Sequence, residues 1–268
     1  GLGDVYKRQT LTCGESSGAL SIGESMRVIR RGDADACLSG GGESKVSYMG
    51  LIRQTFANRL AAVAVGADGI AAVRPFDSRA TGTVLGEGGA ILITEGFDSA
   101  QSRGVKVFAE LAGFAASQCS CIDTVGVDLS DAAPDIAAAI ENALENAKMN
   151  ASEIDAIIPF GSGILNVDAA EAKALRLVFG DRLPKIPLIT LAPQIGICGA
   201  GSSALAAAVA AQCIHEQKLP ARLTTSGSAA LGVDADARPS CSANISSVLV
   251  TSTGMGGQSA AIILRRPV

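Results

Sequence analysis

Three groupings in this chain hold residue types that could do chemistry. The first, Gly14-Glu15-Ser16-Ser17-Gly18, is a G-x-S-x-G pattern. In an α/β-hydrolase it places a nucleophilic serine on a sharp strand-to-helix turn. That chemistry needs an acid and a general base further on, and the chain has a single histidine, His215. His215 falls inside the pattern of a long alanine-rich helix, near its C-terminus, where the helix dipole suits a surface histidine. A serine hydrolase using Ser16 and His215 stands as an alternative reading, and any mechanism needing two histidines within this chain is excluded. The second grouping, Gly199-x-Gly201-x-x-Ala204 before a helix, loosely matches a dinucleotide fingerprint. No acidic residue stands about 20 positions on at a strand end. Its small residues therefore read as close packing of helix on sheet. The third is seven cysteines: Cys13, Cys37, Cys119, Cys121, Cys198, Cys213 and Cys241. They are odd in number, scattered and without C-x-x-C spacing, which argues against a metal knuckle or a disulfide framework. Most sit in apolar stretches, as small hydrophobes do, and a reducing, cytoplasmic compartment fits them.

Alternating helices and strands must position these residues. Ile22, Met26 and Ile29 at i, i+4, i+7 predict a helix over 16–31, capped by Ser16 or Ser17 and ended by Gly32. A strand over 34–39 runs into Gly40-Gly41-Gly42, and a helix is expected over 48–62. Strands at 90–94 and 107–114 come next, with a short helical link between them. The order then begins again. Pro134 starts a helix carrying Ile136, Ile140, Ala143, Leu144 and Ala147. After it come a strand at 154–159, a helix at 167–179, a strand at 187–191, a helix at 202–216, and strands at 246–251 and 260–264. Short loops and mostly continuous apolar strands argue for α/β layers with sheets covered on both faces. The order on either side of residue 125 hints at two related halves.

A longer series is ordered along the chain. Ser17-Gly18-Ala19-Leu20-Ser21-Ile22-Gly23 is followed by Gly32-Asp33-Ala34-Asp35 and Ser39-Gly40-Gly41-Gly42-Glu43. Then come Arg74-Pro75-Phe76-Asp77, Gly82-Thr83-Val84-Leu85-Gly86-Glu87-Gly88, and Phe108-Ala109-Glu110-Leu111-Ala112-Gly113-Phe114. Asp168-Ala169-Ala170-Glu171 and Gly254-Met255-Gly256-Gly257 complete it. Taken together, the set resembles the β-ketoacyl synthase (condensing enzyme) family of fatty-acid and polyketide synthesis, from about Thr10 to the C-terminus. The resemblance implies an α/β, thiolase-like layered αβαβα fold with two related halves, the first incomplete. Residues 1–9 have no continuity with the series and are set aside as a non-native tail. Residues 10–125 are then the C-terminal part of the first half, and 126–268 the second half.

Carried over residue by residue, the resemblance meets departures. The family's nucleophilic cysteine stands three residues before the glycine matched by Gly18, where this chain has Glu15; Cys13 is two residues too early. Phe160 takes the place of the family's first histidine, Ala192 that of its lysine and Ile197 that of its second histidine. Met255, between Gly254 and Gly256, takes the place of the gating phenylalanine at the substrate. Asp168 and Glu171 keep the family's structural acids. Condensation needs a thiolate and donors for the enolate, and loss of one such donor commonly costs about 10²–10³ in rate. Catalytic degeneracy is therefore expected. Glu15 is expected in an apolar site that favours its neutral form, plugging the old nucleophile position or bonding across a subunit boundary.

Family members without the cysteine are chain-length factors, which pair with an active ketosynthase. A group with glutamine there decarboxylates malonyl units. The expected role is a chain-length-factor-like subunit of fatty-acid or polyketide assembly, with malonyl-carrier-protein decarboxylation and the Ser16 hydrolase as alternatives. Expected partners are an acyl carrier protein, which delivers acyl or malonyl groups on phosphopantetheine, and an active ketosynthase in a heterodimer; a homodimer is the other option. No cofactor or metal is expected. Arg27, Arg30, Arg31, Arg53, Arg59, Arg74 and Arg79 either steer an acidic carrier or form an ordinary solvated face.

Composition agrees. Over 268 residues, 48% are hydrophobic and 18% charged, which excludes a disordered chain. No apolar run reaches the roughly 18 residues of a membrane span. Aromatics at 3% and a net charge of −4 argue against nucleic-acid binding.

Overall fold

The computed structural model describes residues 9–64, 66, 70–119, 131–224, 231–234 and 236–267. Most of the expected tail, the division at 125/126 and Cys121 lie outside the described residues.

A four-stranded sheet organises the molecule. Its strands are β3 (Glu110–Gln118), β4 (Ala156–Ile158), β7 (Ser247–Thr253) and β8 (Gln258–Arg265), in the order β3-β8-β7-β4. β3 and β7 run antiparallel to β8, and β4 runs parallel to β7. β7 is buried along its whole length, as a strand covered on both faces must be. On one face lie α4 (Ala133–Ala147) and α5 (Leu165–Phe179), which pack Ile136, Ile140, Ala143 and Leu175 against Ile157, Leu249 and Ile263. On the other lie α1 (Ser17–Arg30) and α7 (Gly201–Glu216), with Ile22, Ala207 and Ala210 against Val248, Val250 and Ile262. β1 (Ala36–Ser44) and β2 (Glu87–Glu95) form an antiparallel pair against the far side of α1 and α7.

The described layers therefore run α, β, α, β. Where a fifth would lie, Leu38, Ile91 and Ile93 stand 75%, 66% and 73% exposed on the outer face of the β1–β2 pair. An α2 helix (Tyr48–Phe56) leaves Tyr48 and Phe56 similarly open. The remaining elements are short: α3 (Phe97–Ser102), α6 (Ala192–Ile195), β5 (Lys218–Leu219) and β6 (Cys241–Ser242). No helix among the described residues is long and apolar enough to cross a membrane.

Several boundaries differ from expectation for identifiable reasons. β1 runs through the glycine triplet instead of ending at it. A Cβ on Gly41 would stand 2.4 Å from the Ala200 carbonyl oxygen, so the bare backbone lets the strand lie against the start of α7. α2 stops at Phe56, not at 62: Asn58 takes φ +51, and Asn58 N–H and Arg59 N–H close a Schellman turn onto Thr55 and Gln54. The strand expected at 187–191 is a single parallel bridge, Ile157 to Leu188. Ser16 and Ser17 flank the start of α1 as expected, yet neither side chain caps it. Ser17 Oγ accepts from Cys13 N–H at 2.8 Å, and Ser16 Oγ turns to β8.

Candidate functional site

Four turns meet at one end of the layers. The first is the 3₁₀ turn Gly14–Ser16 leading into α1, with Glu15 buried at 4% exposure. Its main-chain carbonyl accepts from Ser203 Oγ at 2.8 Å and Ser252 Oγ at 3.1 Å, which pins the turn between α7 and β7. One carboxylate oxygen, Oε2, accepts from Met255 N–H at 3.2 Å, and Oε1 accepts from Lys45 Nζ at 3.3 Å. Lys45 also lies 3.9 Å from Glu43, whose other oxygen accepts from Ala200 N–H at 2.7 Å, at the start of α7. Nearby, burial pushes the Arg59 guanidinium below its ordinary value while the Glu15 charge acts the other way.

This corrects the expected surroundings of Glu15. The carboxyl does not sit in an apolar pocket: a cation and an N–H reach it, and both its oxygens act as acceptors. Both partners belong to the same chain. Sequence reasoning misses Lys45 because it lies just past the end of β1, where spacing carries no sign that the chain returns over residue 15.

The second turn follows β4 and carries Phe160. It is held by two carboxylates one helical turn apart on α5. Glu171 accepts from Phe160 N–H, Gly161 N–H and Thr251 Oγ at 2.9, 3.0 and 2.6 Å. Asp168 accepts from Phe76 N–H at 3.0 Å, Ser162 N–H and Oγ at 2.8 Å, and Gly163 N–H at 2.9 Å. Burial pushes Asp168 up to about 6 and Glu171 up to about 7, against the pull of those donors. The acids thus hold the turn bearing Phe160.

The third turn contains Ala192 and Ile197, on either side of Gly196 at φ +70; Ile197 exchanges backbone hydrogen bonds with Val84 and Gly86. The fourth is the β7–β8 turn Gly254-Met255-Gly256-Gly257. A Cβ on Gly254 would press on the Cys13 carbonyl at 3.0 Å, and one on Gly256 would meet Gln258 Oε1 at 2.6 Å.

Phe160, Ala192, Ile197 and Met255 are all buried in one core. The first three line a cavity with Ser203, Thr251 and Ser252, whose free space is about 20 Å³. That is room for one water, not for an acyl chain. No ionisable side chain lines it. Cys13 is half-exposed and does not line it either.

The hydrolase alternative fails on geometry. Ser16 is fully buried, and its Oγ donates to the Gln258 carbonyl at 2.9 Å. His215 lies in the last turn of α7, its ring 4.9 Å from that of Phe108. Ser203, beside Glu15, is in the first turn of the same helix, so the imidazole stands roughly 18 Å farther along it. The arginine face is largely engaged within the chain: Arg31 with Glu24 and Asp33, Arg79 with Asp77, and Arg30 with the Ala112 carbonyl.

Two family models match the chain: β-ketoacyl synthase, N-terminal domain, over residues 8–98, and β-ketoacyl synthase, C-terminal domain, over 108–226. A curated relative, the tetracenomycin polyketide synthase ketoacyl synthase beta subunit of Streptomyces glaucescens, is 32% identical over 255 residues, covering 94% of this chain and 60% of that protein. Among solved structures, a type II polyketide synthase acyl-carrier protein in complex with its ketosynthase bound to the hexaketide aligns with TM-score 0.87 at 26% identity, covering 97% of this chain and 63% of that one. The ishigamide ketosynthase/chain length factor aligns with TM-score 0.85 at 27% identity, covering 98% and 61%. The chain spans 54–60% of the length of the curated relatives it matches first.

Proposed function

The chain belongs to the β-ketoacyl synthase family, with its thiolase-like layered fold, and on that premise we propose that it belongs to a non-condensing, chain-length-factor-like subunit of polyketide assembly. The observation that carries the reading is Glu15. It occupies the position the resemblance assigns to the nucleophilic thiol, and its carboxylate is bonded to Lys45 and to Met255 N–H. A carboxylate in that place forms no stable thioester.

The other assigned positions support the same reading. Phe160, Ala192 and Ile197 offer neither a proton-transfer group nor a donor to an enolate, so condensation has no machinery here. Malonyl decarboxylation needs no nucleophile but does need those enolate donors, which ranks it lower. On this reading the partners are an active ketosynthase, as a heterodimer in the cytoplasm, and an acidic carrier protein bearing the acyl chain. The residues act by shape: they close the space beside Glu15 and hold the wall around it rigid.

The test is co-expression of the full-length protein with a ketosynthase from the same biosynthetic context. A stable heterodimer whose product length changes when the Phe160 wall is altered supports the role. A stand-alone homodimer with full condensing activity overturns it.

A further inference from the structure

The Glu15 side chain ends between two donors that come from different parts of the chain. Met255 N–H, in the β7–β8 turn, reaches Oε2 at 3.2 Å, and Lys45 Nζ, just past β1, reaches Oε1 at 3.3 Å. The two donors converge on one carboxylate, one for each oxygen. That side chain is 5% exposed, so the contact is a desolvated, charge-assisted one and not a surface ion pair. The half-buried Arg59 also feels the Glu15 charge.

Neither donor is placed by Glu15 alone. The turn sets Met255 N–H: Gly254 N–H donates to the Gln258 carbonyl at 2.6 Å, Gly257 N–H to the Gly254 carbonyl at 2.9 Å, and Gln118 Nε2 to the Gly256 carbonyl at 2.9 Å. Lys45 has a second acid, Glu43, at 3.9 Å, and the other oxygen of Glu43 is engaged by Ala200 N–H at 2.7 Å. The backbone of residue 15 is held separately, its carbonyl accepting from Ser203 Oγ and Ser252 Oγ. The contacts that build the pocket thus differ from the contacts that fill it. If the carboxylate were removed, Met255 N–H would be a buried donor without an acceptor, which costs free energy until something accepts from it.

We propose that Lys45 Nζ and Met255 N–H form a recognition site for a small aliphatic carboxylate, and that Glu15 fills it from within the chain. Residue 15 is then a tethered ligand. The backbone fixes its local concentration, so it outcompetes a free acid for the same donors, and the site stays closed to a carboxylate arriving from solution. Lys45, with its side chain 20% exposed, marks the way in. These contacts stand whatever role the chain has in polyketide assembly.

Formate is the probe that fits. Truncation at Cβ removes one methylene and the carboxylate, and a free ion must keep van der Waals distance from the Cβ that remains. Thermal unfolding of this chain at constant ionic strength, with chloride replaced stepwise by formate or by benzoate, reads the binding, because a ligand that binds only the folded state raises Tm saturably. Glu15→Ala should lower Tm. Formate should restore at least half of that loss, beyond any change that the wild type shows in the same salt, and benzoate should restore none. Glu15→Gln still fills the space and should gain nothing from formate; nor should Glu15→Ala combined with Lys45→Met. Glu15→Ser repeats the measurement with a polar stub in case the alanine variant does not fold. A truncated variant that formate leaves unchanged relative to wild type overturns the proposal. So does an equal gain with benzoate, a gain that survives Lys45→Met, or a formate-grown crystal of the truncated variant with only water between Lys45 Nζ and Met255 N. The readout is the stability of this chain by itself, so these failures are distinct from failure of the heterodimer in co-expression.

Discussion

Glu15 and Lys45 are thirty positions apart and come from different elements, yet their charges meet at 3.3 Å in the interior, with the acid side chain 5% exposed and the lysine 20%. The pair joins the turn before α1 to the end of β1. It also sets the character of the site, because the second carboxylate oxygen is taken by Met255 N–H.

Removing the cation should therefore cost more than removing the acid's charge. Lys45→Met leaves Glu15 buried beside the more distant Arg59 and is expected to destabilise by about 1–3 kcal/mol, since a stranded buried charge keeps its desolvation penalty. Glu15→Gln still accepts from Met255 N–H and should cost less. Urea unfolding of both single variants and the double variant measures the coupling; additive losses would contradict it.

The α5 acids imply a pH dependence of known sign. Their folded values, about 6 for Asp168 and about 7 for Glu171, lie above their ordinary ones, so the folded state binds these protons more tightly. Their contribution to stability is full below about pH 4 and is lost as pH rises through 6 to 7. Denaturation midpoints between pH 5 and 8 should fall with rising pH. Glu171→Gln should flatten the upper part of that slope while costing about 1–3 kcal/mol, because one of its three donors loses its acceptor.

Phe160→Ala should destabilise by about 3–5 kcal/mol. The ring is 7% exposed, and its backbone is pinned by Glu171, so the turn is poorly placed to collapse into the void. Calorimetry gives the loss. Xenon or a small apolar ligand should enter the space enlarged beyond the present 20 Å³ or so. A loss under about 1 kcal/mol would show that the turn relaxes freely.

Leu38 and Ile93 are direct cross-strand partners on the open face of the β1–β2 pair. Replacing both with threonine puts a β-branched residue suited to a strand at each position and removes a contiguous apolar patch. Binding of a hydrophobic dye and concentration-dependent aggregation should both drop, with unfolding free energy changed by less than about 1 kcal/mol. A loss of several kcal/mol would mean that this face is covered in the folded chain.

Much of this protein is legible from its residues in order. Apolar positions at helical spacing place α1 and α4. The family resemblance marks Asp168 and Glu171 as structural acids, and the donors that converge on them fit that role. These features rest on local periodicity, or on motif order along the whole chain, and both survive reading in one dimension.

Only the folded chain decided the surroundings of residue 15. The family resemblance assigns apolar residues to the positions around it. The three-dimensional path brings Lys45 and the Met255 N–H to it instead. A charge buried in a protein is governed by the few groups within about 4 Å of it, and which groups those are depends on long-range packing rather than on any period in the sequence.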